Sequence, residues 1–221
     1  MTLQDDPSYA GQAVYTRKML LIYNLWVLGF SNTYLWRCPT TFLRAHFHKK
    51  VSLNHLDVGV GTGYYLEKCL TEKQRRVALL DLNSVSLSTA GAKIRQYHPE
   101  IYKGNVLAPL ELNCEPFDSI SMNYLLHCLP GDLVAKSVVF EHLIPYLNEG
   151  GTLFGSTILG QGTQPGYFAT KLMNFYNHKG IFDNLSDDLM SLETILNKHF
   201  QKVKIEMRGC VAIFSGVKKD T

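Results

Sequence analysis

The chain has 221 residues, of which 46% are hydrophobic, 11% aromatic and 19% charged, and this composition indicates one folded α/β domain rather than a disordered chain. The formal net charge of +3 comes without a dense basic stripe, which argues against a nucleic-acid-binding protein. The five cysteines are scattered and form no C-x-x-C pair, which argues against a disulfide framework and a zinc site and favours a reducing, cytoplasmic compartment.

Residues 1–50 are predicted to form an N-terminal helical lid segment. Two acids lie within the first six residues, where a secretory leader needs a basic region, so no signal peptide is expected. The apolar run at residues 19–36 is interrupted by polar residues and lies at the lower length limit of a membrane span, so it predicts a buried or lid helix rather than stable membrane insertion. Six aromatic residues are candidates for a lid over the cofactor and a cage for the acceptor, although most of them are expected to be core: Tyr9, Tyr15, Tyr23, Trp26, Phe30 and Trp36.

From residue 51 onward, short apolar runs alternate with helical patterns, which is typical of βαβ units. The predicted fold is therefore a Rossmann-like α/β domain with a mostly parallel sheet. Seven strands are predicted, at residues 53–58, 77–82, 100–103, 117–123, 151–157, 203–207 and 211–217. The short link at residues 208–210 forces the last two strands to be antiparallel.

Two helical patterns flank the later strands. The first begins at Asp132 as its N-cap and is predicted to run to the glycine pair at residues 150–151. Its apolar positions are Ala135, Val139, Leu143 and Leu147. The second is predicted to begin at Ser186 or Asp187 and to place its leucines and isoleucine on one side.

A buried strand runs directly into a glycine-rich turn, in the sequence His55-Leu56-Asp57-Val58-Gly59-Val60-Gly61-Thr62-Gly63. Glycines let the backbone turn sharply and approach a ligand closely. The spacing is G-x-G-x-G rather than the G-x-G-x-x-G of dinucleotide-binding proteins, and Asp57 stands two residues before the first glycine. A carboxylate there suits a ligand with an ammonium group better than a pyrophosphate. The structural alternative is an ordinary tight turn between a strand and a helix.

Asp81 ends the second predicted strand, about 20 residues after the glycines, where a carboxylate accepts both hydroxyls of a ribose. The structural alternative for Asp81 is a helix N-cap, with Asn83 and Ser84 as rivals for that role. Together, the glycine turn and Asp81 favour an adenosine-containing ligand with an ammonium group.

These features resemble the class I S-adenosylmethionine-dependent methyltransferases, most closely the small-molecule group similar to the ubiquinone and menaquinone biosynthesis methyltransferases. The resemblance covers residues 50–158 by motif and extends further by strand pattern. It implies S-adenosylmethionine as the cofactor and S-adenosylhomocysteine as the product. It also implies that Asp81 holds ribose and that Leu82 packs on adenine. The residues implied for the methionine part of the cofactor are Asp57, Gly59, Gly61 and Gly63.

A departure from the family pattern follows the third strand. The family commonly has Gly-Asp-Ala there, whereas this chain has Gly104-Asn105-Val106. The carbonyl oxygen of Asn105 can still accept a hydrogen bond from the adenine amino group. The resemblance therefore implies Asn105 and Val106 as adenine-binding residues.

The segment at residues 117–130 resembles the family's fourth-strand motif, which often ends in Leu-His-His-Leu-Pro. In this chain Cys128 replaces the second histidine. The resemblance implies that Asn123, at the end of the strand, faces the cofactor. It also implies that Leu126 or His127 faces the methyl acceptor.

Two further residues are candidates for the reaction. His127 is the predicted general base, because its pKa lies near working pH and it closely follows the fourth strand. A base is needed only if the acceptor must lose a proton, and a structural histidine is the alternative. Arg37, next to an aromatic lid residue, is predicted to pair with the cofactor's carboxylate, and the alternative is a solvent-facing charge.

Three functions agree with these residues. The leading hypothesis is methyl transfer to a small, apolar or aromatic acceptor, held by the lid and by a helix predicted at residues 167–176. A protein or tRNA methyltransferase is the second, but it should show either an Asn/Asp-Pro-Pro-Tyr-like motif or a positive surface, whereas the fourth strand ends Asn123-Tyr124-Leu125-Leu126. The third is a methyltransferase-like protein that binds the cofactor without transferring methyl. No nucleic-acid partner and no metal are predicted, and the oligomeric state stays open.

Overall fold

The computed structural model describes residues 24–72 and 74–220, with side chains described from residue 30 onward. The strands are β1 (Asn54–Val58), β2 (Arg76–Asp81), β3 (Glu100–Lys103), β4 (Phe117–Asn123), β5 (Leu147–Ile158), β6 (Phe200–Arg208) and β7 (Val211–Lys218). The helices are α1 (Asn24–Leu35, with π-helical geometry), α2 (Thr40–Lys50), α3 (Tyr64–Cys69), α4 (Ser84–Lys93), α5 (Leu133–Lys136), α6 (Val138–Leu143), α7 (Tyr167–His178) and α8 (Leu189–His199). Short 3-10 turns occupy Arg95–Tyr97, Leu126–Cys128 and Ile144–Tyr146.

Within the described residues, seven strands form one sheet in the order β3-β2-β1-β4-β5-β7-β6. The first five strands pair in parallel, and β7 pairs antiparallel with both β5 and β6. This confirms the predicted mostly parallel sheet with an antiparallel C-terminal hairpin. The strand order reverses between β1 and β4, and open α/β sheets bind ligands at the carboxyl ends of strands on either side of such a reversal.

The burial of each strand follows its place in the sheet. β1 and β2 are buried on both faces, which explains the continuous apolar run of β2 from Val77 to Leu80, whereas β1 buries the polar residues His55 and Asp57. β6 lies at an edge, and its residues alternate between half-buried and exposed after the buried Phe200. The period of two along β6 therefore reflects one solvated face.

The helix predicted from Asp132 to the glycine pair is wrong in its second half. Asp132 does cap α5, since its carboxylate accepts the amide of Ala135 at 2.9 Å. The helical path then breaks into α6 and a 3-10 turn that contains Pro145, which cannot donate a helical hydrogen bond. Leu147 belongs to β5 instead, where it pairs with Phe117.

Helix α8 begins later than predicted. Asp188 is its N-cap, because its carboxylate accepts the amide of Ser191 at 2.8 Å. Ser186 and Asp187 are therefore not the cap. The buried face of α8 consists of Leu192, Ile195 and Leu196.

Asp187 instead forms a buried ion pair with α5. The Lys136 ammonium lies 2.7 Å from a carboxylate oxygen of Asp187, and both side chains are fully buried. Lys136 also donates to the backbone carbonyl of Asp183. The backbone carbonyl of Asp187 accepts the amides of Gly160 and Gln161, each at 3.0 Å. The pair therefore fixes the segment after β5 against α5.

The segment after α1 is attached to the turn between β6 and β7. The amide of Cys210 donates to the carbonyl of Trp36 at 2.9 Å, and the Trp36 side chain is buried. A Cβ at Gly209 would lie 2.1 Å from the Trp36 carbonyl oxygen, so this contact requires glycine. α2 then packs on the sheet through the buried side chains of Leu43 and Phe47.

The lid prediction lies partly outside the described residues. Tyr9, Tyr15 and Tyr23 fall there, as does the side chain of Trp26. Phe30 is 45% exposed, whereas Trp36 is part of the core. In the part of the chain that the structure describes, no helix combines the length and apolarity needed to cross a bilayer.

Candidate functional site

A cavity opens at the carboxyl ends of β1, β2 and β4, where the strand order reverses. It brings together most of the residues predicted to bind a cofactor. Those that line it are Asp57, Gly59, Gly61, Asp81, Leu82, Asn105, Val106 and Asn123. The strand ends and the turns that follow them therefore form one site, as parallel topology requires.

The three glycines of the turn have different local roles. Gly59 has a positive φ of 69°, its amide donates to Leu80 of β2 at 2.9 Å, and an added Cβ would meet the Leu125 side chain. Gly61 has a φ of 52° and no atom within 4 Å of where a Cβ would stand, so its backbone faces open space in the cavity. Gly63 does not line the cavity, and a Cβ there would lie 2.8 Å from Ala90 of α4. Ligand approach is thus closest at Gly61.

Asp57 is a buried carboxylate on the floor of the cavity. The hydroxyl of Ser121 donates to its Oδ1, and its side chain is 6% exposed. Burial raises the pKa of Asp57 to about 7, the Ser121 hydrogen bond opposes this shift, and the charge of Asp81 adds to it. Among the described residues no lysine or arginine forms an ion pair with Asp57. A cationic ligand group would therefore relieve the cost of its charge.

Asp81 stands at the end of β2 and faces the same cavity. Its carboxylate accepts the amide of Asn83 at 2.8 Å. Burial raises its pKa, and hydrogen bonds from nearby backbone amides oppose the shift. Asn83 is the N-cap of α4, since its side chain accepts from Val85 and Ser86. The structure thus gives the capping role to Asn83, and Asp81 remains available to a ligand.

The far end of the cavity combines apolar side chains with one amide. Leu82 and Val106 line it, together with the backbone of Gly104. The Asn105 carbonyl oxygen accepts the amide of Leu107 at 3.0 Å, so one of its two lone pairs is used within the chain. This end of the cavity therefore suits a flat apolar ring that has polar atoms at its edge.

Asn123 presents a free donor to the cavity. Its Oδ1 accepts the hydroxyl of Ser156 at 3.2 Å, and its buried Nδ2 has no hydrogen-bond partner among the described residues. Buried amides are almost always satisfied, so this donor on a residue of the cavity wall is open to an acceptor from a water molecule or a ligand. Asn123, the glycine backbone and the two acids together fit a ligand that carries an ammonium group, a ribose and further acceptors.

The sequence analysis missed the side chains that form the other half of the cavity. Tyr124 has a left-handed backbone with φ of 57°, and its amide donates to Ser156 at 2.8 Å. A tyrosine rarely adopts this conformation, and such strain clusters at ligand sites. The only sequence signal was the position of Tyr124 directly after the fourth strand. The remaining residues of this half are Tyr64, Tyr65, Leu125, Cys128 and Leu129.

His127 points away from the cavity. Its ring packs edge-on against Phe182 at 4.5 Å, its Nδ1 accepts the amide of Ile158 at 3.3 Å, and it is 2% exposed. Burial lowers its pKa to about 3, with the charge of Lys136 acting in the same direction. This position does not support the predicted role as general base.

Arg37 and α7 also lie outside the cavity lining. Arg37 is exposed and borders a separate surface cavity with Gln161 and Thr163. On α7, Met173 is buried, whereas Phe168 is 76% exposed. In residues 24–72 and 74–220, no group of three histidine, cysteine or acidic side chains is placed to hold a metal ion.

Comparison with known proteins identifies related chains. A family described as methyltransferase domain matches residues 56–153. The chain is 39% identical to a physcion biosynthesis cluster O-methyltransferase of Aspergillus chevalieri, over 96% of each chain. It is 33% identical to a demethylluteothin O-methyltransferase of Streptomyces thioluteus, over 96% of this chain and 93% of that relative. The solved structure of N-methyltransferase NodS from Bradyrhizobium japonicum WM9 with S-adenosyl-L-homocysteine shares the fold, with a TM-score of 0.67 at 14% identity over 97% of this chain and 100% of that one.

Proposed function

Since the chain belongs to the class I S-adenosylmethionine-dependent methyltransferases that act on small molecules, we propose that it methylates an oxygen atom of an apolar or aromatic acceptor. The observation that carries this proposal is a cavity with two unlike halves. One half holds two buried acids and a glycine backbone, and the other is lined by tyrosines and apolar side chains. Both relatives named above are O-methyltransferases, which supports oxygen as the methylated atom.

The polar half is proposed to hold the cofactor. Asp57 would bind its ammonium group and Asp81 its ribose hydroxyls, while the backbone at Gly61 allows close approach. Leu82 and Val106 would enclose the adenine. When bound, S-adenosylmethionine supplies an electrophilic methyl group on a positively charged sulfur. The residues of this chain align that methyl group and exclude water.

The tyrosine half is proposed to hold the acceptor. Tyr64, Tyr65 and Tyr124 offer rigid amphipathic rings, which suit a flat, partly polar molecule. Leu125 and Leu129 add an apolar surface that keeps water from the reacting atoms. Asn123 stands between the two halves, where its free Nδ2 can orient either ligand.

We also propose that residues 1–50 act as a lid and that the enzyme works in the cytoplasm without a nucleic-acid partner. The aromatic composition of the segment supports the lid. The five cysteines are free thiols, which agrees with a reducing compartment. If residues 1–50 form a lid, hydrogen exchange in them should slow when S-adenosylhomocysteine binds. Unchanged exchange would make the segment a fixed layer.

Two matched glycine variants test the cofactor placement. Gly61 and Gly150 both have positive φ and open space at the Cβ position, but only Gly61 faces the cavity. Each alanine substitution should cost about 1 to 2 kcal/mol of stability through backbone strain. Calorimetry should then show at least about tenfold weaker S-adenosylhomocysteine binding for Gly61→Ala and unchanged binding for Gly150→Ala. Equal affinities would place the cofactor elsewhere.

The acceptor is tested by incubating the enzyme with donor carrying an isotopically labelled methyl group. A panel of phenols and matched aromatic amines is offered, and products are read by mass spectrometry. Label in the phenols supports the proposal. Label only in amines overturns the choice of oxygen, and label only in protein or tRNA overturns the small-molecule acceptor. Binding of nicotinamide cofactors in place of S-adenosylmethionine would contradict the family assignment itself.

A further inference from the structure

A chain of hydrogen bonds runs through the sheet beneath Asp57. The Ser121 hydroxyl donates to Asp57, and His55 Nε2 lies 3.0 Å from the same hydroxyl. His55 Nδ1 lies 2.8 Å from the hydroxyl of Ser119, which lies 2.8 Å from the hydroxyl of Ser52. The register of β1 with β4 creates this order, because it sets His55 opposite Ser119 and Asp57 opposite Ser121.

These polar groups replace apolar side chains at the centre of the molecule. His55, Ser119 and Ser121 are at most 1% exposed. The His55 ring stacks on Phe154 at 5.8 Å and meets Phe47 edge-on at 5.5 Å, so its surroundings beyond the hydrogen bonds are apolar. Burying such groups costs free energy unless each is hydrogen-bonded, a condition that a valine in a central parallel strand would not impose. The hydrogen bonds among these groups are therefore a requirement of their burial.

The number of available protons fixes the direction of the chain. The hydroxyl of Ser121 has one proton, and an ionised Asp57 can only accept, so this proton goes to Asp57. Ser121 must then accept from His55 Nε2–H. Burial lowers the pKa of His55 to about 3, so the ring is neutral and its Nδ1 accepts from Ser119. The bonds from Ser119 to His55, from His55 to Ser121 and from Ser121 to Asp57 therefore all point toward Asp57. At the outer end, the Ser52 amide donates to the Ser119 hydroxyl, and the Ser52 hydroxyl donates to the carbonyl of Asn54.

We propose that His55 is a positioning residue, which acts through Ser121 to hold the carboxylate of Asp57 toward the ammonium group of the cofactor. This inference rests on the proposed contact between Asp57 and that group. The hydrogen bond from Ser121 also favours the charged form of Asp57, against the effect of burial. Near pH 7, where Asp57 titrates, cofactor affinity then depends on this bond.

Other titratable groups surround the chain of hydrogen bonds. Arg75 stands at its outer end, donates to the carbonyl of Ser52 at 3.3 Å and disfavours a charged His55. Asp81 stands at the inner end and raises the pKa of Asp57. His46 of α2 packs against Phe154, and Tyr65 of α3 packs against Phe47. The pH dependence of cofactor affinity should therefore be compared among variants that leave these groups unchanged.

Calorimetric titration of the full-length enzyme with S-adenosylhomocysteine from pH 5.5 to 8.5 tests the inference. Ser121→Ala should weaken binding at pH 7 by about tenfold or more, because a charge-assisted hydrogen bond is lost. It should also move the midpoint of the pH dependence upward. His55→Leu should shift affinity and midpoint in the same direction, and His55→Gln should restore part of both, since its amide can donate to Ser121.

Two controls separate the possible failures. Ser215→Ala removes another buried serine of the sheet and should leave affinity and midpoint unchanged. Asp57→Asn tests the proposed contact itself, and unchanged affinity for this variant would overturn that contact. If Asp57→Asn weakens binding while Ser121→Ala and His55→Gln keep wild-type affinity and midpoint, the role of His55 is overturned. The Ser121→Ala and His55→Gln variants decide the question even if His55→Leu does not fold.

Discussion

Asp57 and Asp187 are both buried, yet their surroundings differ in one respect. Asp187 forms an ion pair with Lys136 at 2.7 Å, so the fold itself supplies the compensating charge. Asp57 receives a hydroxyl donor from Ser121 and has no such cation among the described residues. A buried carboxylate that lacks a cation is costly unless a ligand provides one. The difference distinguishes an acid whose charge the fold compensates from an acid whose charge, as we propose, a ligand compensates.

The largest expected effect is on the structural side of this comparison. Lys136→Met should lower the free energy of unfolding by about 3 to 5 kcal/mol, because it leaves Asp187 buried without its partner. Urea denaturation monitored by circular dichroism measures this loss. The double variant Lys136→Met with Asp187→Leu should recover most of it. Wild-type stability of the single variant would show that the ion pair is not what compensates Asp187.

Asp57→Asn should behave in the opposite way without ligand. Burial raises the pKa of Asp57 from 3.8 to about 7, so the native state favours its protonated form. The stability from this preference is present below about pH 4 and is lost as pH rises through 7. The asparagine variant escapes that loss, and at pH 8 its melting temperature should equal or exceed that of the wild type by a few degrees.

Thermal melts at pH 8 with and without S-adenosylhomocysteine measure both properties of this variant. Its affinity for the product should fall by roughly tenfold to a hundredfold, so the ligand should raise its melting temperature less than that of the wild type. Lower stability of the unliganded variant at pH 8 would mean that Asp57 stabilises the fold in the way Asp187 does.

The smallest effect is expected at His127, which lies between the two regions. It is the neighbour of Cys128 in the cavity lining, and its pKa is lowered partly by Lys136. His127→Asn keeps an acceptor for the amide of Ile158, so the change in kcat/KM should stay within roughly threefold and the pH profile should keep its shape. Loss of a general base would cost about a hundredfold or more and would remove one limb of the profile.

The glycine turn and Asp81 were predictable because the signals are local. Strand β1 runs directly into Gly59 and Gly61, and after one helix β2 ends at Asp81. Parallel topology then places strand ends side by side, so the polar half of the cavity follows from sequence order. Asn123 was predicted from the resemblance of residues 117–130 to the family's fourth-strand motif.

Other features depend on contacts between distant residues. Lys136 and Asp187 are 51 positions apart, and no pattern in the sequence predicts their pairing. The partners of His55 follow from the register between β1 and β4, which hydrophobic patterns do not specify for strands buried on both faces. His127 was assigned to the site by its place in a motif, but the 3-10 turn Leu126–Cys128 directs its ring into the core.

Translation delivers β7 after the other six strands, yet β7 lies inside the sheet between β5 and β6. Until its residues leave the ribosome, β5 has an open edge of unpaired backbone groups and β6 has no strand to join. The parallel strands can assemble earlier, whereas the sheet closes only after synthesis has passed Lys218. The nascent chain therefore exposes an aggregation-prone edge on β5 until β7 has been made, and chaperone binding or rapid synthesis of β7 would protect that edge.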